Sequence, residues 1–254
     1  MIFFPYLCIM KKYGLIGRKL SHSWSARWFA DMFEREGIAD AEYRLYEMED
    51  VDGVRQWVQQ CGINGFNVTI PFKEKIINRL DSLDPEAGAI RAVNCVECSN
   101  GQLVGHNTDT HAFARTLVPL LQPWHTRALV LGSGGAAKAV VYALQRLGLE
   151  ALVVSRQAGR QPFAVSYDRA RELAASYLII VNCTPVGMAP LQQQSAWPWP
   201  RQLTSRHLCY DLVYNPSPTV FLSEAARTGA TTCDGRAMLY TQAELSWRIW
   251  EKNQ

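Results

Sequence analysis

The run Leu129-Val-Leu131 passes directly into Gly132-Ser-Gly134-Gly135-Ala136-Ala137 and then into Lys138-Ala-Val-Val141. That succession reads as a strand, a tight glycine turn and a helix start. Gly132 allows the turn, Gly134 lets a pyrophosphate approach the backbone, and Ala137 is the third small position, where helix packs on strand. The first amides of such a helix are free and its dipole favours anions. Gly132, Ser133, Gly134, Gly135 and Ala136 are therefore expected to cradle the phosphates of a dinucleotide. A G-x-G-x-x-A pattern alone is weak, and its neighbourhood decides. The next strand, Leu152-Val-Val154, ends in Ser155-Arg156-Gln157, with Arg160 beyond it. Folds that bind NAD carry an Asp or Glu about there for the ribose hydroxyls. An arginine at that place pairs instead with a 2′-phosphate and stacks on adenine, so the cofactor is read as NADP, held by Arg156 with Ser155 and Arg160 beside it.

Upstream of this centre, strand-like apolar runs near 13–16, 43–46 and 64–70 alternate with helical spacing over 24–36 and 50–60. That alternation predicts parallel α/β structure. Asn100-Gly101, set between Cys95–Cys98 and Leu103-Val104, is a hairpin signal and adds an antiparallel element, giving a mixed sheet. The periodicity breaks around Pro119–Thr126, and a second α/β segment begins at Arg127. It continues through strands at 151–154, 177–181 and 208–212, with a proline-rich loop between the last two. The chain is thus read as α/β in two domains: a mixed, mostly parallel N-terminal domain over 1–110 and a Rossmann-type NADP-binding domain over 111–235. A C-terminal helix over 236–254, with apolar residues at helical spacing, returns to the first domain.

With 254 residues, 48% of them hydrophobic, the chain has enough apolar material for such cores. Its 26 basic and 23 acidic residues are too balanced for a nucleic-acid or membrane surface, so the expected partner is a small molecule, bound by a monomer or homodimer. Seven scattered cysteines fit a reducing cytoplasm, not a disulfide framework. Cys95-x-x-Cys98 has no second pair or His cluster at zinc spacing, and no metal is expected. The apolar stretch Met1–Met10 is too short to span a bilayer and lacks the flanks of a signal peptide. Residues 1–9 are read as an upstream-start extension, and a chain begun at Met10 is expected to keep full activity.

Three polar clusters in the first domain are hard to explain as fold alone: His22-Ser23-Trp24-Ser25, Asn67-Val68-Thr69-Ile70-Pro71-Phe72-Lys73, and Asn107-Thr108-Asp109. Each lies at a strand or helix end, where open α/β sheets carry their ligands. Together with Ala92-Val93-Asn94 and the glycine turn, they make the chain resemble the shikimate dehydrogenase family, over nearly its whole length from Tyr13 to about Trp250. The resemblance implies that the first domain binds substrate and that the activity is reversible NADPH-dependent reduction of 3-dehydroshikimate to shikimate, a step of aromatic amino acid biosynthesis. It implies that Ser23 and Ser25 bind the substrate carboxylate and that Thr69, Lys73, Asn94 and Asp109 gather around the ring hydroxyls, with Lys73 and Asp109 the catalytic pair. It further implies a nicotinamide-side loop in Asn182-Cys-Thr184-Pro-Val-Gly-Met188 and a substrate-facing Tyr214 in Asp211-Leu-Val-Tyr214-Asn-Pro216. In Asp234-Gly235-Arg-Ala-Met238-Leu-Tyr-Thr-Gln242, Gly235 and Met238 would border the nicotinamide and Gln242 would meet a substrate hydroxyl.

The chain departs from the family pattern at several places. Lys19 and Ala26 replace prolines that would stiffen the serine loop, Thr110 replaces a glycine after Asp109, and Ser155 and Gln157 replace an Asn and a Thr beside Arg156. None removes a charged or proton-transferring group. The chemistry asks for the residues that remain. Hydride arriving at a ketone puts negative charge on oxygen, so the site needs a proton donor in hydrogen-bond reach. A lysine supplies the proton and stabilises the alkoxide, and an aspartate holds it in place while accepting from a neighbouring hydroxyl. Asn67 and Asn107 are read as loop braces, Asn94 as a substrate contact, and His22 and His106 as structural or rim residues. The alternatives are a quinate/shikimate dehydrogenase of broader specificity and a catalytically inactive NADPH-binding regulatory module on the same fold.

If Arg156 grips the 2′-phosphate, Arg156→Ala weakens NADP binding by about 1–3 kcal/mol, the scale of a charge-assisted hydrogen bond, and leaves NAD nearly untouched. Fluorescence titration with both cofactors checks this, and equal loss for both would make Arg156 a structural residue.

Overall fold

The computed structural model describes residues 10–21, 23–160 and 163–252. The apolar stretch 1–9, His22 and the Arg160 side chain lie outside the described residues. The chain divides into two units. One takes in the residues up to Ala89, Val93–Asn107 and the chain from Ala243 on; the other takes in Ile90–Ala92 and Thr108–Gln242.

The first unit carries β1 (Lys11–Gly17), α1 (Ser25–Glu36), β2 (Ala41–Glu47), α2 (Val54–Cys61), β3 (Ile63–Val68), β4 (Ser82–Leu83), α3 (Pro85–Ile90), β5 (Cys95–Ser99) and β6 (Gln102–His106). Its sheet runs β2-β1-β3-β5-β6-β4. β1 is parallel to β2 and β3, while β5 is antiparallel to β3 and β6, so the sheet is mixed. The antiparallel step is made by Asn100 and Gly101, both at positive φ (51° and 75°), the requirement of a tight two-residue hairpin. Two of the boundaries that differ from the periodicity have a local cause. α2 starts at Val54, not near 50, because the Asp50 carboxylate accepts the Asp52 amide (2.9 Å) and closes a turn ahead of the helix. β3 stops at Val68: the Phe72 amide folds back onto the Thr69 carbonyl (2.9 Å), and Pro71 has no amide with which to continue a ladder. The short elements β4 and α3 leave no periodic trace in the sequence.

The second unit carries α4 (Asp109–Leu117), β7 (Arg127–Leu131), α5 (Gly135–Arg146), β8 (Glu150–Val154), β9 (Ala164–Val165), α6 (Tyr167–Leu173), β10 (Ile179–Asn182), β11 (Leu208–Asp211), α7 (Val220–Arg227), β12 (Thr231–Cys233) and the start of α8 (Arg236–Glu251). All neighbours in its order β12-β11-β10-β7-β8-β9 are parallel, the doubly wound Rossmann arrangement. The fully buried runs of β7, β10 and β11 are apolar almost throughout, as strands covered on both faces must be. The far end of α8 belongs to the first unit. There Trp247 and Trp250 pack with Tyr13, Phe29 and Phe33, and the Trp250 indole donates to the Val96 carbonyl (3.0 Å).

In each order the chain reverses its direction of travel once between parallel neighbours, at β1/β3 and at β7/β10. Two carboxyl strand ends then lie side by side, the place where open α/β sheets leave a ligand crevice. Both seams are closed by a glycine against a threonine. A Cβ on Gly17 would lie 2.7 Å from Thr69 Cγ2, and one on Gly132 would lie 3.1 Å from Thr184 Cγ2. Gly132 also has φ 109°, which side chains rarely adopt.

Gly17→Ala should therefore overpack the first seam and lower unfolding free energy by about 1–3 kcal/mol, whereas Gly53→Ala, with nothing within 4 Å, should change it little. Urea denaturation of both variants is the check, and equal midpoints would contradict the close packing.

Candidate active site

In the first unit, the loop leaving β1 is held by its own hydrogen bonds. The Leu20 amide donates to Glu47 Oε1 (2.7 Å), the Ser23 amide to the Leu20 carbonyl (2.8 Å), and the Ser25 amide to Ser23 Oγ (3.3 Å). These bonds order the serine loop without the prolines replaced by Lys19 and Ala26. Ser25, buried, opens α1, and Ser23 is half-buried just ahead of it.

A buried polar chain runs from Ser25 across the sheet. Burial raises the Tyr43 phenol well above its ordinary pKa, the Cys95 thiol adds to this, and a hydrogen bond with the Ser25 side chain works against it. Tyr43 donates to Asn67 Oδ1 (2.8 Å), and Asn67 Nδ2 donates to the Asn94 carbonyl (3.2 Å) and to Ser246 Oγ (2.8 Å). Asn67 is a brace in this structure. Tyr43 and Ser246, its partners, stand out in no sequence pattern, because a lone Tyr in a strand and a lone Ser in a helix are ordinary residues.

Thr69 follows β3 and its amide donates to the Ile16 carbonyl (3.0 Å). Lys73 lies half-buried, just before a short 3₁₀ turn at Lys75–Arg79, and its carbonyl accepts the Val93 amide (2.7 Å). Asn94 is buried, its amide bonded to the His106 carbonyl (3.1 Å) and its own carbonyl accepting from Val68 (2.9 Å). The structure thus brings Ser23, Ser25, Thr69, Lys73 and Asn94 to one end of the interior strands β1, β3 and β5. His106, at the end of β6, is structural: its Nδ1 pairs with Asp84 Oδ2 at 2.8 Å. Burial works to raise the Asp84 carboxyl, but hydrogen bonds from His106 and the Ala87 amide outweigh it and leave it below the ordinary carboxylate value.

The second unit holds the remaining residues. Asp109, buried, is the first residue of α4. Tyr214 is half-buried beyond β11, and Gln242 is half-buried on α8, its Nε2 donating to the Leu239 carbonyl (2.9 Å). The glycine turn lies at the β7/β10 seam. The Gly132 amide donates to the Val154 carbonyl and the Cys183 amide to the Leu131 carbonyl (both 2.9 Å). Gly134 is the N-cap of α5 with no side-chain cap, and a Cβ there would meet nothing within 4 Å. Ser133, Gly135 and Ala136 flank it. An uncapped helix start facing open space fits a dinucleotide pyrophosphate.

At the end of β8, Ser155 is buried and its hydroxyl accepts the Gln157 amide (3.1 Å), bracing the turn that presents the exposed Arg156. Burial raises the pKa of Tyr167, the first residue of α6, and the Arg156 cation works against this.

Thr184 is held by Asn182, whose Oδ1 accepts its amide (2.9 Å) and hydroxyl (2.6 Å). Gly235 is required by the fold itself, since a Cβ there would lie 2.1 Å from the Leu212 carbonyl oxygen, and Met238 is buried on the first turn of α8. Among the described residues, no group of three or more His, Cys, Asp or Glu side chains is placed to hold a metal ion. No helix among them is long and apolar enough to cross a membrane.

The chain is similar to known proteins along nearly its whole length. Residues 15–96 match the family model described as the shikimate dehydrogenase substrate binding domain. The chain is 34% identical to the shikimate dehydrogenase (NADP(+)) of Caldanaerobacter subterraneus subsp. tengcongensis, over 94% of this chain and 91% of that one. The crystal structure of shikimate 5-dehydrogenase from Thermus thermophilus in complex with NADP(H) and shikimate is similar with a TM-score of 0.85 and 34% identity, covering 96% of this chain and 94% of that one. Quinate dehydrogenase from Corynebacterium glutamicum in complex with NAD has a TM-score of 0.84 at 27% identity, covering 95% and 94%. On sequence and on fold alike, the chain belongs to the shikimate dehydrogenase family.

Proposed function

We propose that this chain interconverts 3-dehydroshikimate and shikimate with NADP(H), with Lys73 as the proton-transferring residue and Asp109 as its catalytic companion. The observation that carries the reading is the gathering of Ser23, Ser25, Thr69, Lys73 and Asn94 at the carboxyl end of β1 and β3. All five lie within the segment that matches the family's substrate binding domain.

NADPH, when bound, supplies the hydride that reaches the ketone carbon. The chain's residues do the rest. The hydroxyls of Ser23 and Ser25 donate to the substrate carboxylate and set the ring's orientation. The Lys73 ammonium donates to the carbonyl oxygen, stabilises the charge that builds there and gives up a proton as the alcohol forms; in the reverse direction the neutral amine takes that proton back. Asp109 accepts from a substrate hydroxyl, and Thr69, Asn94, Tyr214 and Gln242 complete the ring contacts. Gly132, Ser133, Gly134, Gly135 and Ala136 receive the pyrophosphate, Ser155, Arg156 and Arg160 the phosphorylated ribose, and Thr184, Gly235 and Met238 the nicotinamide. Arg156, in place of a carboxylate at the end of β8, supports NADP over NAD and so favours this reading over the quinate enzyme. We place the protein in the cytoplasm as a monomer or homodimer; the free thiols of its six described cysteines suit a reducing compartment.

Lys73→Ala should lower kcat by about 10² to 10⁴, the range of general acid–base catalysis, with much smaller changes in substrate and cofactor binding. Asp109→Asn should also slow turnover, by less. Steady-state kinetics with binding titrations make the test: a raised KM at unchanged kcat in Lys73→Ala would reduce the lysine to a binding contact and pass the proton to another donor.

A further inference from the structure

Asp211 is the last residue of β11 and has no exposed surface. Three donors converge on its carboxylate. Asn182 Nδ2 (2.8 Å) and the Val213 amide (2.9 Å) reach Oδ1, and Thr219 Oγ1 (2.7 Å) reaches Oδ2. Asn182 ends the neighbouring strand in register with Asp211 and carries the contact onward. Its Oδ1 holds Thr184 by both amide and hydroxyl, and its Nδ2 also donates to the Val186 carbonyl (2.9 Å). On the other side, Val213 immediately precedes Tyr214, and the Leu212 amide donates to the Asn182 carbonyl (3.0 Å). The Leu212 carbonyl is the group against which Gly235 packs. One carboxylate therefore ties together the segments that carry Thr184, Tyr214 and Gly235.

Stability alone does not call for a charge here, since burying a carboxylate is costly even when it is hydrogen-bonded. Burial pushes the Asp211 carboxyl up to about 6; the three hydrogen bonds resist this and the nearby Asp234 adds to it. At neutral pH the group is still an acceptor on both oxygens, and so satisfies all three donors at once.

We propose that Asp211 is a positioning residue for the nicotinamide half of the cofactor site, fixing the Asn182–Met188 and Val213–Pro216 loops in the arrangement that binds. The proposal rests on the NADP reading above. Asp211 acts through Asn182, Thr184 and the Val213 amide and is not itself a catalytic residue.

The test compares two ligands on the full chain: NADPH, followed by its own fluorescence, and 2′,5′-ADP, which has the phosphorylated adenosine but no nicotinamide, followed by calorimetry. Asp211→Ala should raise the Kd of NADPH about fivefold or more while leaving that of 2′,5′-ADP within about twofold. Asp211→Asn keeps an acceptor for Asn182 and Val213 and offers Thr219 Oγ1 a donor, so it should recover most of the NADPH affinity. Unchanged NADPH affinity in Asp211→Ala, or equal loss of both ligands, overturns the proposal. If Asp211→Ala does not fold, Thr219→Val, which strips one donor from Oδ2, should still weaken NADPH selectively, and NADPH affinity equal to wild type overturns the proposal. Wild-type protein that binds neither ligand overturns the NADP reading and this proposal with it, whereas wild-type binding of both with unaffected variants overturns only the role of Asp211.

Discussion

Each unit depends on how closely two parallel strands can leave their sheet side by side. At β1/β3 the constraint is Gly17 against Thr69, and at β7/β10 it is Gly132 against Thr184. A side chain on either glycine would crowd the threonine across the seam, and at Gly17 also Leu20, where the loops that carry the chemistry begin: the serine loop and Lys73 in one unit, the phosphate turn and the Asn182–Met188 loop in the other. The switch in strand order creates the crevice. The glycine–threonine contact keeps the seam closely packed.

The two seams also share a device behind the contact. In each, the strand beyond the switch point carries a buried asparagine near its end, Asn67 on β3 and Asn182 on β10, and the asparagine spends its amide on neighbouring segments. Asn67 joins Tyr43, Asn94 and Ser246, and Asn182 joins Thr184, Val186 and Asp211. Buried amides and carboxylates of this kind are costly unless fully bonded, and once fully bonded they rigidify the segments they join. Loops so held meet a ligand with less ordering left to do.

Much of this was legible in the sequence because it is local. The glycine turn, the Asn-Gly hairpin and the strand-ending polar clusters each follow from neighbouring residues, and the resemblance to the family rests on the same short motifs. What the sequence hid is non-local. Tyr43 and Ser246 are unremarkable in their own elements and become partners of Asn67 only through the sheet and the returning helix. Asp211 ends an apolar strand run, a signal that could have been read, but its three donors come from residues spread between Asn182 and Thr219. Two boundaries differ for local reasons that periodicity does not carry: Asp50 closes a turn where α2 is expected to begin, and Pro71, without an amide, helps to end β3 early.

What the fold and its motifs amount to is chemical: interconversion of shikimate-type alcohols and ketones with NADP(H). It is tested most directly by following the near-ultraviolet absorbance of reduced cofactor with shikimate or quinate paired in turn with NADP or NAD. Shikimate with NADP should give by far the highest kcat/KM. Quinate with NAD matching or exceeding that pair, or cofactor binding without turnover in any combination, would contradict it.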